Sequence, residues 1–171
     1  MSTTAGQAEE LRRLVQRLLR RFGAVTADRT PCGKPMSIAQ AHALMILRAS
    51  GELSQQELAA ELCIDKSNVA RLCAKLVEEG HAVQRVCERD GRGRRVSLTL
   101  RGERLAREVD VSSNARFRAL LNELPAARRT SVLVTLQTLV GALDALGDPS
   151  TQGALDDSLE TSPRRHPRSA R

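Results

Sequence analysis

Apolar residues recur along most of the chain at helical spacing, and this pattern predicts helices on both sides of one short β-hairpin. A first amphipathic helix is expected over residues 7–28, with Leu11, Leu14 and Leu18 in an apolar stripe close to a 3.5-residue repeat. Ser37 is expected to cap a second helix that ends near Gly51. These signals predict a largely helical chain.

Residues 53–80 predict two short helices separated by a tight turn. Ser54 and Glu57 stand in a Ser-x-x-Glu pattern, which is typical of a capping box at a helix start. Asp65 is expected to cap the second helix, and Gly80 is expected to end it. The second helix has an inward apolar stripe, made of Val69, Leu72, Cys73, Leu76 and Val77. The arrangement is that of a helix-turn-helix.

The other face of the second helix carries residue types that meet phosphates and base edges in a DNA major groove. These residues are Lys66, Ser67, Asn68, Arg71 and Lys75. Ser54, Gln55 and Gln56, at the start of the preceding helix, complete this part of the predicted DNA-binding set.

After Gly80 the period changes from helical to alternating, which predicts two strands around a glycine-containing tip. Val96, Leu98 and Leu100 are assigned to the second strand. Such a hairpin beside a recognition helix is a wing, whose tip can place an arginine in an adjacent minor groove. The predicted wing contacts are Arg89, Asp90, Arg92, Arg94 and Arg95. Arg94 and Arg95 either support the wing or contact phosphate.

The two ends of the chain carry more apolar surface than one small winged lobe can cover. Thr99 is expected to cap a long helix that Pro125 interrupts, and a last helix ends at Gly147. A symmetric homodimer with interleaved terminal helices would bury these stripes and would suit a palindromic operator. The fold class is therefore mainly α with a small β-hairpin wing. The expected domain is 1–147, with a DNA-binding lobe at 36–100, dimerisation helices at 7–30 and 101–147, and a disordered tail at 148–171.

Composition narrows the class of partner. A formal charge of +7 and a pI of about 10.2 favour a polyanion. Two Phe and no Tyr or Trp leave no platform for stacking unpaired bases, so double-stranded DNA is preferred to RNA.

No long apolar run or signal core is present, so a cytoplasmic protein without membrane contact is expected. No cofactor is expected, and a metal site is disfavoured because His42, His81 and His166 lack ligand spacing and no Cys-x-x-Cys occurs. His42 either projects from the second helix towards a ligand pocket or is ordinary helix surface, and the second interpretation is preferred.

These motifs together resemble the multiple-antibiotic-resistance regulator (MarR) family, over roughly residues 11–147. The most specific match is Glu88-Arg89-Asp90-Gly91-Arg92 running into Leu98-Thr99-Leu100-Arg101-Gly102, with the family's Asp-x-Arg wing tip and Leu-Thr-x-x-Gly helix start. Glu57-Leu58-Ala59 and Ser67-Asn68-Val69-Ala70-Arg71-Leu72 match its helix-turn-helix. The resemblance implies a homodimeric repressor of palindromic promoters, released by a small-molecule effector. It also implies that Arg92 enters the minor groove and that Asp90 braces the wing tip.

Three alternatives stay open. In a redox regulator of the same fold, Cys32 or Cys87 would be the sensor; Cys32 is expected to be the most exposed cysteine, and Cys73 is assigned to the core. Cys63 stands where the family usually has Gly, so an altered turn is expected there. A winged-helix module that binds only protein is disfavoured by the basic helix and wing. An enzyme is disfavoured because no phosphate loop, nucleophile elbow or His-Glu-x-x-His helix occurs.

Overall fold

A computed structural model of the chain describes residues 4–25, 28–86 and 94–147. These residues form six helices and one small antiparallel sheet, which confirms the predicted fold class of a mainly helical winged-helix protein. In chain order the elements are α1 (Thr4–Phe22), α2 (Ile38–Ser50), β1 (Leu53–Ser54), α3 (Gln55–Leu62), α4 (Lys66–Glu78), β2 (Ala82–Val86), β3 (Arg94–Leu98), α5 (Leu100–Asn122) and α6 (Ala126–Leu146). Contacts divide the chain into two units, with the boundary between Glu123 and Leu124.

All four predicted helix caps are confirmed. Ser37 and Ser54 each accept a hydrogen bond from the backbone N–H three residues on, and the side chains of Gln40 and Glu57 accept from the cap N–H in return. Asp65 caps α4, and Thr99 caps α5. Each cap satisfies backbone donors that the first helical turn leaves unpaired.

The core of the first unit lies where α2, α3, α4, α5 and the sheet meet. Its fully buried side chains include Leu44, Leu47, Leu58, Val69, Cys73, Leu76 and Val96. The predicted inward stripe of α4 is confirmed except at Val77, which is 38% exposed. The core is therefore made largely by the positions that helical spacing selected.

The sheet has three strands in the order β1-β3-β2, so β3 is central. Sequence patterning missed β1, which is only two residues long and pairs Leu53 with Val96 and Ser54 with Arg95. The assignment of Leu100 to the second strand was wrong: Leu100 begins α5 and is 84% exposed. The Thr99 cap ends the strand before this residue, so the apparent alternation was fortuitous.

Helix α1 ends earlier than predicted, at Phe22 instead of near residue 28. Gly23 takes a left-handed φ of 82°, and the N–H of Ala24 donates to the carbonyl of Leu19 at 3.0 Å, which closes the helix end. None of the residues of α1 is buried; Leu11, Leu14 and Leu18 are about half exposed.

The second unit contains α6 within the described residues. Pro125 occupies its N-cap position, as expected for a residue at which a new helix starts. None of the residues of α6 is buried, and six large apolar side chains are exposed: Leu133, Val134, Leu136, Val140, Leu143 and Leu146. Within the described ranges, no helix combines the length and apolar character needed to cross a bilayer.

The start of α5 is locked to the end of α4 and to the turn before β2. Thr99 Oγ1 donates to the carbonyl of Gly80 at 2.8 Å, and the N–H of Thr99 donates to the carbonyl of His81 at 3.0 Å. Gly102 follows one turn later, where a Cβ would lie 1.9 Å from the carbonyl oxygen of His81. This contact explains the glycine in the Leu-Thr-x-x-Gly motif, because any side chain would push α5 away.

We therefore predict that Gly102→Ala strongly destabilises the protein. The clash is with backbone, which cannot rotate away, so we expect a loss of about 3 kcal/mol in the free energy of unfolding. Gly141→Ala is the matched control, because its Cβ meets nothing within 4 Å. Alanine in that helix interior should stabilise by about 0.5–1 kcal/mol. Urea denaturation of both variants checks this, and a Gly102→Ala protein as stable as the wild type would contradict it.

Candidate nucleic-acid interface

The outward face of α4 carries its five predicted contact residues, Lys66, Ser67, Asn68, Arg71 and Lys75, with all five exposed. The first four lie in the first two turns of the helix, near its N-terminus. Positive side chains and the positive end of the helix dipole coincide there, which favours a polyanion.

A chain of hydrogen bonds orders the polar side chains at this helix start. Asp65 Oδ1 accepts from Ser67 Oγ at 2.7 Å and from the N–H of Asn68 at 2.8 Å. The Asn68 amide nitrogen donates to Asp65 Oδ2, and the Arg71 guanidinium donates to Asn68 Oδ1. The Ser67 hydroxyl, followed by the Asn68 N–H, lowers the pKa of the Asp65 carboxyl, which keeps it ionised as an acceptor. Arg71 is thus held along the helix surface, with donors left over for another partner.

Lys75 lies further along α4, with its ammonium 3.9 Å from the Glu79 carboxylate. This pair is exposed and loose, so it holds the lysine only weakly. Lys75 also borders an open groove of about 910 Å³ that includes the Lys34–Glu108 ion pair, in which the two side chains are 3.0 Å apart. The groove is lined by charges of both signs.

The start of α3 presents Gln55 and Gln56, while Ser54 is committed to the cap. Ser54 Oγ accepts from the N–H of Glu57 at 3.1 Å, and Glu57 Oε2 accepts from the N–H of Ser54 at 2.7 Å. These bonds with Ser54, with a smaller contribution from the Arg95 charge, lower the pKa of the Glu57 carboxyl. Gln56 is exposed and Gln55 is half-buried.

The wing is described up to Val86 and from Arg94 onward. Arg89, Asp90 and Arg92 of the predicted tip, and the candidate sensor Cys87, lie outside the described residues. Arg94 is exposed, whereas the Arg95 guanidinium binds Glu52: its Nε is 3.0 Å from the carboxylate, and a second nitrogen donates to the Glu52 carbonyl at 2.9 Å.

The turn between α3 and α4 keeps a left-handed residue despite the missing glycine. Cys63 adopts φ 52° and ψ 45° at the end of α3, so the expected alteration of the turn was wrong. Two hydrogen bonds of 3.1 Å hold the turn, from the N–H of Cys63 to Ala60 and from the N–H of Ile64 to Ala59. They offset a cost of about 1–2 kcal/mol for a Cβ in this conformation.

An apolar cavity of about 260 Å³ lies between α1, α2 and α5 in the first unit. Sequence reasoning did not find it, because its walls come from distant segments. Its charged or titratable lining groups are Arg116, His42 and Cys32, and Thr30 and Ser113 add hydroxyls. The rings of Phe22 and Phe117 close one side, with centroids 5.4 Å apart. His42 is exposed on α2, as expected for helix surface, and it also borders this cavity.

The cysteines are arranged differently from the prediction. Cys63 is exposed, whereas Cys32 is half-buried in the cavity wall with its Sγ 3.1 Å from Thr30 Oγ1, so Cys32 is not the most exposed cysteine. Cys73 is buried as predicted, and burial raises the pKa of its thiol, which disfavours the reactive thiolate. Over the described residues, no cluster of three His, Cys, Asp or Glu side chains is arranged to hold a metal ion.

A capped second helix with a basic outer face, packed beside a hairpin, defines a winged helix-turn-helix protein. The sequence model of the MarR family matches residues 34–93, which include the helix-turn-helix and β2 but stop before β3. The match covers about a third of the chain and agrees with the resemblance that the motifs of the recognition helix and wing predicted.

Several solved structures share the fold over most of their length. A mutant MarR from E. coli, complexed with operator DNA, is 20% identical with a TM-score of 0.66, covering 81% of this chain and 99% of that one. BpsR from Bordetella bronchiseptica, whose DNA binding is regulated by 6-hydroxynicotinic acid, is 22% identical with a TM-score of 0.61, covering 78% and 97%. NadR, in complex with 4-hydroxyphenylacetate, is 22% identical with a TM-score of 0.57, covering 84% and 95%.

Proposed function

We propose that this protein is a sequence-specific, double-stranded-DNA-binding transcriptional regulator of the cytoplasm. It acts as a repressor that occupies a palindromic promoter operator and is released by a small-molecule effector. It has no catalytic role. The observation that carries the proposal is the exposed set Lys66, Ser67, Asn68 and Arg71 at the start of a capped recognition helix in a MarR-family lobe.

The recognition helix is suited to a major groove by the position of its polar side chains. Side chains at the start of a helix that enters the groove end-on reach the base edges, and residues further along meet the backbone. Arg71 and Ser67 are therefore assigned to base contacts, and Lys75 to a phosphate contact. Reading a base requires Arg71 to exchange its bond with Asn68 for one with the DNA, which is inexpensive because both groups face solvent.

A homodimer is proposed from the exposed apolar surface on the terminal helices. Leu11, Leu14 and Leu18 on α1 and the six exposed side chains on α6 are each about half exposed or more in the single chain. Such stripes need a covering partner, and a second copy related by a two-fold axis provides one. The same axis would place two recognition helices about 34 Å apart, one turn of DNA.

The effector is proposed to be a small aromatic carboxylate bound in the 260 Å³ cavity. The apolar walls and the paired phenyl rings suit an aromatic ring, and Arg116 supplies a cation for a carboxylate. BpsR and NadR, which share the fold, are associated with 6-hydroxynicotinic acid and 4-hydroxyphenylacetate, both of this class. The 910 Å³ groove is less suitable because both of its lysines, Lys34 and Lys75, already pair with carboxylates.

The position of the cavity gives an effector a route to change DNA binding, because its walls come from both the winged lobe and the helices proposed to dimerise. Its walls combine α2 of the winged lobe with α1 and α5, which belong to the proposed dimerisation helices. A ligand that fits one separation of these helices better than another shifts the dimer toward that state. A state in which the lobes no longer match the operator spacing would release DNA.

DNA readout is tested first. Arg71→Ala and Ser67→Ala should change the ranking among operator variants, because each removes a base contact worth about 1–3 kcal/mol. Lys75→Ala should weaken all duplexes alike and lower the slope of log affinity against log salt by about one. Fluorescence anisotropy with operator and random duplexes measures both effects. If the wild-type protein binds no duplex at moderate salt, it is an interaction module and not a regulator of this type.

Dimerisation is tested on α6. Leu136 is 44% exposed in the single chain, so Leu136→Asp should leave the fold intact yet bury a carboxylate at the interface. We expect the dimer dissociation constant to rise at least about 100-fold, since an unpaired buried charge costs several kcal/mol. Thr138→Asp, roughly on the opposite side of the helix, is the control and should remain dimeric. Sedimentation equilibrium measures the dimer dissociation constant, and a stable Leu136→Asp dimer would exclude this face of α6 from the interface.

The effector site is tested by charge removal at α5. Arg116→Ala should weaken binding of 4-hydroxyphenylacetate or 6-hydroxynicotinic acid at least tenfold, because a charge-assisted bond is worth about 1.5–3 kcal/mol. Arg118→Ala removes the same charge two residues away, outside the cavity lining, and should have no effect. Calorimetry measures binding, and anisotropy measures release of operator DNA. Equal affinities of the two variants would place the effector elsewhere.

A further inference from the structure

We propose that Arg95 is a positioning residue that sets the wing against the helix-turn-helix, and that it does not contact phosphate. The inference rests on the proposed DNA-binding function, which it refines by separating the two neighbouring arginines at the base of the wing. It assigns the charge of Arg95 to a contact within the protein.

The contacts of Arg95 use all three guanidinium nitrogens. Nε lies 3.0 Å from Glu52 Oε2, and one terminal nitrogen donates to the Glu52 carbonyl at 2.9 Å. The other terminal nitrogen is 3.9 Å from Glu57 Oε2. Because the guanidinium is planar and rigid, this two-point attachment to Glu52 fixes its direction as well as its position.

The partners of Arg95 belong to the elements that the wing must be aligned with. Glu52 lies in the turn between α2 and β1, and Glu57 completes the capping box that starts α3. Arg95 itself is on the central strand β3, and its backbone pairs with Ser54 of β1. One side chain therefore joins the wing to the turn and to the first helix of the helix-turn-helix.

A phosphate contact would require these bonds to be given up. Arg95 would leave a carboxylate, and the freed Glu52 would then stand beside the DNA backbone as an unpaired negative charge. Arg94 is in the opposite situation: its side chain is exposed and forms no ion pair with another described residue. The geometry thus divides the roles, with Arg94 available to phosphate and Arg95 committed to the wing.

The first test compares substitutions at Arg95 by affinity and salt dependence. Arg95→Gln should weaken operator binding about fivefold, the upper end for an exposed ion pair, with the salt slope unchanged. Arg95→Lys should weaken binding as much, because an ammonium cannot make the two-point contact although it could still meet a phosphate. A fall of about one in the slope for Arg95→Gln, or full affinity for Arg95→Lys, would overturn the proposal. Arg94→Gln gives the reference for simple charge loss.

The second test substitutes Glu52, because the two possible roles of Arg95 predict opposite changes in operator affinity. If Arg95 positions the wing, Glu52→Gln should weaken operator binding relative to Glu61→Gln, which removes the same charge from an exposed site on α3. If Arg95 meets phosphate, Glu52→Gln should free it and tighten binding beyond Glu61→Gln. Circular dichroism and thermal melting verify that each variant is folded. A wild-type protein that does not bind DNA would instead refute the proposed function, an outcome separate from any ranking of these variants.

Discussion

The architecture depends on the contact between the start of α5 and the backbone at Gly80 and His81. Thr99 makes two hydrogen bonds across this junction while capping its own helix, and Gly102 lies against the His81 carbonyl with no room for a side chain. The recognition helix ends there, the wing begins there and α5 leaves from there. The direction of α5 relative to the DNA-binding lobe is therefore fixed by backbone contacts, which deform much less than side chains.

Around this rigid junction, the candidate DNA surface is ordered by exposed and replaceable bonds. The Asp65–Ser67–Asn68–Arg71 chain holds the recognition side chains near the helix start without burying any of them. The Glu52–Arg95 contact, which we propose positions the wing, joins two side chains that are each roughly 40% exposed. Such bonds add little to stability. Their contribution is preorganisation, because side chains already restrained lose less entropy when they meet a partner.

The apolar cavity and the exposed helix faces both reflect incomplete packing of helices around a small core. The 123-residue first unit packs a small core between α2–α5 and the sheet, and α1 has no buried residue. Its loosely covered side leaves a cavity under Phe22 and Phe117. In the proposed function, this incomplete packing is what permits a ligand to change the position of helices that a dense core would hold in place.

The sequence by itself determined the features that depend on neighbours within one or two turns. All four caps were predicted, because a cap bond joins residues three apart, and so was the apolar stripe of α4 apart from Val77. The charged face of the recognition helix followed from the same spacing. Two local predictions were wrong: α1 ends at Phe22 and not near residue 28, and Leu100 begins α5 after the Thr99 cap and is not part of the strand.

Tertiary structure alone decided what depends on segments far apart in the chain. The partner of Arg95 lies 43 residues away, the cavity draws on α1, α2 and α5, and β1 exists only because β3 pairs with it. Which cysteine is exposed also followed from packing, since Thr30 and the cavity wall cover Cys32 while Cys63 projects from a helix end. Residue types and periodicity specify which faces are buried or charged. They do not specify which distant side chains meet, because that depends on how the chain closes its loops around the core.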